Sequence, residues 1–512
     1  MSTQHRPSRH LLALSCVFAI GAVHLLGSTS VAQMIDRSAT RSETDLKIGW
    51  KRAGTLIPRS ADEIGPTDWA IGCETLDRDF ADYDAYKEYL VPLGIGRVRF
   101  QGGWAKTEQV RGVYDFAWLD RLIDDATSRG LNVWLETSYG NPLYAGGGGQ
   151  GLSGMFPQGE EALGAWDRWV EAMAVRYKAK VREWGMWNEP NNKGIHTPAM
   201  TADMNIRTAA IIKRIIPDAE IAGLVQSSLS SEYLEGFLKR VADRESLHLF
   251  DWIVYHGYQT NPDDSYAAVR KMTAIVKRYD PRLKMWQGEN GAPSEWIPAF
   301  ALSKTNWSEL TQAKWDTRRM LGDRGHDCRS LVFTMADLVY RRDGSLIHNR
   351  KGLLKTDIDT QQIVKVKLAY FAVQNVVSLF DSTLCLAPDL ECEIGPVASL
   401  ASPQEQEPVT WYGHRNMATG QDIVVFWNGN HAPSDSNDTA PACIVLKDAQ
   451  LTDPVYVDLI TGRVYEIPGD RKQLDGTTWS FQSIPVYDSP TVILDRDLLK
   501  YEPWPPNTKR LQ

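Results

Sequence analysis

The sequence predicts an α/β fold, a (β/α)8 TIM barrel with an appended antiparallel β-sandwich domain. Three observations predict it. Eight short apolar runs alternate with amphipathic stretches over roughly 280 residues, as a closed parallel barrel requires. Two of those runs stop at a glutamate before a turn former, at Glu189-Pro190 and at Glu289-Asn290-Gly291. Beyond about residue 360 the pattern becomes strand-like runs separated by Gly and Pro, the texture of an antiparallel all-β domain. A doubly wound sheet is the structural alternative.

The chain has 512 residues and 43% hydrophobic content, enough for one large domain and a smaller one. Residues 1–32 read as a signal peptide. Arg6, Arg9 and His10 make a basic start, 11–26 is apolar, and Ser30-Val31-Ala32 is a small-residue cleavage site before Gln33. The apolar run is short for a membrane span and carries His24. The mature form is therefore expected to be secreted or periplasmic, away from the membrane. Residues 33–66 read as a polar N-terminal arm, 67–355 as the barrel, and 356–512 as the C-terminal β-sandwich.

Each barrel strand has a local cause. Residues 69–72, 97–100, 131–135, 220–225, 251–256, 283–289 and 330–334 are apolar runs bounded by turn residues, and the fourth run ends at Glu189. The intervening helices are expected at 84–93, up to 128, 160–180, 206–216, 233–241, 267–279 and 311–321. The second of them shows Leu119, Leu122, Ile123 and Ala126 at helical spacing, with Gly130 as its stop. Residues 363–376 are expected to be a helix. The sandwich strands are expected at 422–427, 442–446, 455–458 and 491–494.

Net charge is −8, which excludes a typical nucleic-acid partner. Past the signal five cysteines remain, Cys73, Cys328, Cys385, Cys392 and Cys443. An odd number leaves at least one unpaired, and Cys385 with Cys392 is the candidate bridge in an exported protein. No spacing resembles a zinc site, so no metal or other cofactor is expected. Gly149-Gln150-Gly151-Leu152-Ser153-Gly154 has the letter pattern of a dinucleotide loop, but it does not directly follow a strand and Pro157 intervenes before the helix. It reads better as a mobile loop over the barrel mouth.

The chemistry lies in Glu189 and Glu289. Proline after Glu189 ends strand pairing, so Asn188 and Glu189 belong at a strand tip. Glu289 holds the same place three strand–helix units later. The tips of strands four and seven face each other across a barrel mouth, where barrel enzymes work. Two carboxyls converging there suit glycoside hydrolysis, one protonated to release the leaving oxygen and one ionised to attack, about 5–5.5 Å apart in a retaining enzyme. Glu74 and Glu136 also sit near strand tips and read as decoys or substrate contacts.

Trp187-Asn188-Glu189-Pro190 resembles the strand-four motif of the clan A retaining glycoside hydrolases. The resemblance implies that Glu189 is the acid/base, that Glu289 is the nucleophile, and that Asn188 binds the sugar 2-hydroxyl. It implies that Arg99, in Arg97-Val98-Arg99-Phe100, supports an ionised nucleophile, and that His256 and Tyr258 stand near it. Gly112-Val113-Tyr114-Asp115-Phe116 is similar to the clan's second βα unit. Barrel plus sandwich is most similar to glycoside hydrolase family 39, the β-xylosidase and α-L-iduronidase type. One departure is that strand eight ends Thr334-Met335-Ala336-Asp337, without the tryptophan often found there.

Arg99, His256 and Tyr258 also have plain packing readings. Trp104, Tyr139, Tyr144, Trp187, Trp286 and Trp296 are candidate sugar platforms. The expected partner is an oligo- or polysaccharide. The expected activity is that of a secreted retaining glycoside hydrolase. The alternatives are a catalytically inert carbohydrate-binding protein on the same barrel, or a transglycosylase.

Overall fold

In the computed structural model, eight parallel strands close into a barrel in chain order: Trp69–Gly72, Arg97–Gln101, Asn132–Thr137, Glu183–Met186, Glu220–Gln226, Trp252–His256, Lys284–Asn290 and Cys328–Val332. The structure describes residues 44–152, 154–342, 344–399 and 404–505. The signal at 1–32 and the first part of the arm lie outside them. Among the described residues no helix is long and apolar enough to cross a membrane.

The strands are apolar runs because helices cover them from outside while the barrel fills from within. Side chains two residues apart share a face, so strand two sends both Arg97 and Arg99 inward. They end in different layers. Near the strand starts, Arg97 pairs with Glu183 at 2.6 Å, and Arg329 reaches the same carboxylate at 3.2 Å. Above them Trp134 and Trp286 pack with ring centroids 4.2 Å apart. Arg99 lies over Trp134, with its Cζ 4.8 Å from the ring.

The sandwich has an eight-stranded and a four-stranded antiparallel sheet. The larger includes Thr410–Asn416, Asp422–Trp427, Thr491–Asp495 and Pro454–Asp458, and the smaller centres on Ala440–Lys447 and Thr478–Val486. Ala440–Lys447 alternates buried and exposed positions, as a strand with one core face must. Val424, Phe426, Ile444, Leu446, Tyr456, Phe481 and Ile493 form the shared core.

Three local readings change. Residues 52–56 of the arm form a strand of the larger sheet, between Arg463–Glu466 and Tyr501–Pro503, and Leu46 and Ile48 join the sandwich core. The expected helix from 363 begins instead as the strand Ile363–Val366, paired with Leu354–Thr356; the helix is Leu368–Leu379. Three β-branched residues in four, Ile363, Val364 and Val366, favour the strand. Cys385 and Cys392 lie on strands of different sheets, and the five cysteines among the described residues are free.

The barrel and sandwich meet through buried ions. On helix Glu309–Gly325, Lys314 is fully buried and donates to Asp488 at 2.6 Å and to the carbonyls of Ser434 and Ser436. Arg318 binds Asp263 and the His431 carbonyl, and Trp427 Nε1 donates to Asp263. Removing one partner of such a pair strands the other charge. Lys314→Met should therefore destabilise the protein by about 3–5 kcal/mol. Adding Asp488→Leu should recover much of that loss. Thermal and urea unfolding of both variants measures it, and a single variant with wild-type stability would contradict the stated role of the pair.

Candidate active site

Strand four does not run to Glu189. Its last regular residue is Met186. The backbone then passes through the left-handed region at Trp187 (φ 63°) and Glu189 (φ 51°), conformations costing about 1–3 kcal/mol each for ordinary residues. The neighbouring strand answers this. An irregularity between Gly223 and Gln226 lets the Val225 carbonyl accept from the Glu189 N–H at 2.9 Å. Bulges of this kind re-aim groups beside active sites.

Glu189 and Glu289 meet at the C-terminal mouth of the barrel. Their side chains are 12% and 13% exposed, so each faces the cavity while being largely withdrawn from solvent. Donor atoms of Glu189, His256 and Glu289 all lie within 4.8 Å of one another. His256 Nδ1 stands 3.0 Å from Glu189 Oε1 and 3.8 Å from Glu289 Oε2. Asn192 donates to Glu189 Oε2 at 3.1 Å, and Tyr258 OH donates to Glu289 Oε1 at 3.0 Å.

Arg99 organises the rest. Its Nη1 donates to Glu289 Oε2 at 2.9 Å, to Glu74 Oε1 at 2.7 Å and to the Gly288 carbonyl at 3.1 Å. Its Nη2 donates to both oxygens of Glu136 at 2.9 Å and to Asn188 Oδ1 at 2.7 Å. Burial alone would raise the Glu289 carboxyl. His256, Arg99 and the Tyr258 hydroxyl outweigh burial and hold it below the usual glutamate range. Glu136 moves the other way: burial raises it against the pull of Arg99.

The two glutamates, Tyr258 and Phe333 line a cavity of about 490 Å³, together with Asn192, Ser227, Ser228, Phe300, Tyr340, Asn349 and Lys351. Phe333 supplies an aromatic wall at the end of strand eight, where the sequence lacks a tryptophan. Leu152 of the glycine-rich segment reaches the same cavity. The base of that segment is pinned by backbone bonds from Gly140 to Gly149 and from Asn141 to Gly147, each 2.8 Å. Burial pushes the Lys351 ammonium down to about 7, against the opposing pull of Glu289, Asp316 and Glu189. A cavity of about 570 Å³ lies at the opposite end of the barrel, lined by Trp252, Arg324 and Arg329. It is larger, but among the described residues the group of carboxyls and histidine with atoms within 4.8 Å of one another is the one at the mouth.

The expected platforms divide. Trp104 is fully buried and stacks between Tyr144 and Trp169, with its Nε1 bonded to Glu108. Tyr139 accepts from Gln101 and lies under Arg78. Neither lines the larger mouth cavity; both border a small one of about 120 Å³. Trp187 and Trp286 are core, while Trp296 is 55% exposed. Lys351, Asn192 and Asn349 carry no motif in the sequence; only the fold brings them to the mouth. Glu189, His256 and Glu289 could by spacing hold a cation. Both Glu289 oxygens, however, already accept from Arg99 and Tyr258, and a cation would face the guanidinium.

A family model described as beta-galactosidase matches residues 84–146, which span barrel strands two and three. No curated protein matches the chain. Solved structures resemble it across most of its length. A family 39 glycoside hydrolase from Bacteroides cellulosilyticus aligns with TM-score 0.60 at 16% identity, over 87% of this chain and 83% of that one. A monomeric beta-xylosidase from Caulobacter crescentus aligns with TM-score 0.53 at 16% identity, over 88% and 98%. A family 30 endoxylanase from Clostridium papyrosolvens aligns with TM-score 0.51 at 11% identity, over 86% and 97%. At these identities the likeness is one of fold.

Arg99→Met should leave three buried carboxyls without their counter-ion, a loss of about 3–5 kcal/mol. Glu289 has its carboxyl lowered in the fold. Its pairing therefore stabilises the protein above the unfolded value near about 4.3 and is lost as pH falls through the lowered one. The melting-temperature gap between wild type and variant should be wide at pH 7 and should narrow on acidification; a gap independent of pH would contradict the charge account.

Proposed function

We propose that the chain is a secreted retaining glycoside hydrolase that cleaves O-glycosidic bonds by double displacement. The observation that carries this is the convergence of Glu189 and Glu289 at the barrel mouth, with one carboxyl oxygen of each within 4.8 Å of the other. Inverting enzymes hold their carboxyls roughly 6.5–9.5 Å apart to admit a water between them. One oxygen of each carboxyl brought this close supports direct attack by one carboxylate. The fold shared with family 39 and family 30 glycosidases agrees with the reading.

The unlike environments support one allocation of roles. Glu289 is held ionised by Arg99 and Tyr258, and serves as the nucleophile at the anomeric carbon. Glu189 has His256 and Asn192 as its hydrogen-bond partners and no guanidinium on it. It gives its proton to the departing oxygen while the bond from that oxygen to the anomeric carbon breaks. In the second step Glu189 takes a proton from water, the water oxygen bonds to the anomeric carbon, and Glu289 leaves as a carboxylate. Asn188, whose Oδ1 accepts from Arg99, is the residue we propose for the sugar 2-hydroxyl.

A panel of aryl β-xyloside, β-glucoside, β-galactoside, α-arabinoside and α-iduronide substrates tests the activity and names the sugar. Release from none of them, and from no oligosaccharide, would favour the inert binder. Transfer to an added sugar in place of water would identify a transglycosylase.

Two outcomes separate the roles. The pH dependence of kcat/KM should be a bell. Its acidic limb should lie below the ordinary glutamate value, because Glu289 must be ionised and its carboxyl is lowered. Glu189→Ala should slow substrates with poor leaving groups by about 10²–10⁴-fold and spare dinitrophenyl glycosides in the first step. Azide should rescue it with a glycosyl azide of retained configuration. Glu289→Ala should lose all substrates alike, and azide should give inverted product. Inverted product from Glu189→Ala would exchange the two roles.

A further inference from the structure

Glu74 follows the first barrel strand and has no part in the two-carboxylate chemistry, yet the site is built around it. Its Oε1 accepts at 2.7 Å from Arg99 Nη1, the same nitrogen that serves Glu289 Oε2 at 2.9 Å. Its Oε2 is buried and has no hydrogen-bond partner among the described residues. The carboxyl folds back over Gly72, where a Cβ would stand 2.4 Å from that oxygen. Arg99 Nη2 is meanwhile spent on Glu136 and Asn188.

We propose that Glu74 is a positioning residue that carries a proton at neutral pH, so that Arg99 Nη1 is left to hold Glu289 as an ionised nucleophile. One guanidinium faces three buried carboxyls. Ionising Glu136 and Glu289 already exceeds its charge. A third anion would add repulsion in a low dielectric, with one oxygen receiving no donor, and a buried unpaired charge is the costliest arrangement available. Protonation of Oε2 removes that charge where no donor is lost. Burial accordingly raises the Glu74 carboxyl to about 8 against the pull of Arg99, with Glu289 and Glu136 adding to the rise.

The other titratable groups facing Glu74 are the thiol of Cys73 and the phenols of Tyr86, Tyr258 and Tyr340. All are raised above their ordinary values by burial and stay neutral in this range. When Glu74 loses its proton it competes with Glu289 for Nη1, and the nucleophile loses its anchor. The site therefore has an alkaline limit set beside Glu289 and separate from the proton on Glu189.

Two measurements test this. The first is infrared difference spectroscopy of the whole protein. A protonated-carboxyl C=O band should be present at pH 7, titrate away near pH 8, and be missing in Glu74→Gln. If that variant does not fold, Gly72→Ala, which crowds Oε2, should shift the same band. A neutral-pH spectrum without the band, or a band unchanged by these substitutions, would overturn the proposal.

The second rests on the glycosidase reading and uses kcat/KM for the dinitrophenyl glycoside of whichever sugar the protein releases. Departure of that group needs no proton from Glu189, so the profile reports Glu289 and the groups beside it, among them Lys351 at about 7, which Glu74→Gln leaves in place. Wild type should fall roughly tenfold per pH unit above about 8, as a single ionisation dictates. Glu74→Gln, a neutral isostere, should match wild type within about twofold at pH 7 and stay flat to higher pH. Loss of rate at neutral pH in a folded Glu74→Gln, or an unchanged alkaline fall, would show that its proton is not what matters. Absence of glycosidase activity would end the functional reading and leave the infrared result standing.

Discussion

A guanidinium with no exposure to solvent is the constraint on which the site depends. Arg99 is 0% exposed, and such a charge survives burial only when its donors are matched in geometry and sign. The barrel provides the match from four directions, since Glu74, Glu136, Asn188 and Glu289 come from strands one, three, four and seven or their tips. No two of them are local in sequence. The closed barrel is the device that brings them together, and the guanidinium in turn fixes the register of the strand ends. Below it, Arg97, Glu183 and Arg329 form a second ionic layer, separated from the first by Trp134 and Trp286. That aromatic layer keeps the two charge sets apart, so Arg99 spends its charge at the mouth.

The two glutamates owe their difference to this arrangement. Both are similarly withdrawn from solvent, so burial does not distinguish them. What differs is the company. Glu289 receives a guanidinium and a phenol. Glu189 receives an imidazole and an amide, and its backbone is held in a left-handed turn by the Val225 carbonyl. A pair of carboxyls in unlike surroundings is the general means of keeping an acid and a base side by side at one pH.

Much of this was legible in the sequence, for identifiable reasons. Arg99 stood out through its resemblance to a strand-two arginine, and the abrupt stops at Glu189-Pro190 and Glu289-Asn290-Gly291 marked strand tips. The barrel with its appended antiparallel sheets followed from the alternation of runs. Three things were not legible. Glu74 and Glu136 read as decoys or substrate contacts, and their hold on Arg99 was not visible, because a buried carboxylate holding an arginine has the same letter as one touching substrate. Trp104 read as a candidate platform or as core packing, because aromatic content says nothing about which ring faces the cavity; Tyr144, Trp169 and Glu108 enclose it. The strand at 52–56 is polar enough to pass for an arm, and only its pairing partners, more than 400 residues later, make it a strand.

The wall of the cavity and the anchor of the sandwich are one continuous stretch of chain. After strand eight the hairpin Leu338–Arg342 and Ser345–Asn349 brings Tyr340, Asn349 and then Lys351 to the mouth. The chain continues into the Leu354–Thr356 and Ile363–Val366 pair and the helix that leads to the sandwich. Lys367, at the N-terminus of that helix, donates to Asp337 at 2.7 Å and to the Arg350 carbonyl at 3.2 Å, and Asp337 also accepts from the Gly352 N–H. The pair is buried, so it exchanges little with water and holds the base of the hairpin to the start of the helix. The sandwich therefore contributes to the site without lining it. Its docking, through Lys314, Arg318 and Asp263 on the barrel side, fixes one end of the segment whose other end shapes the cavity.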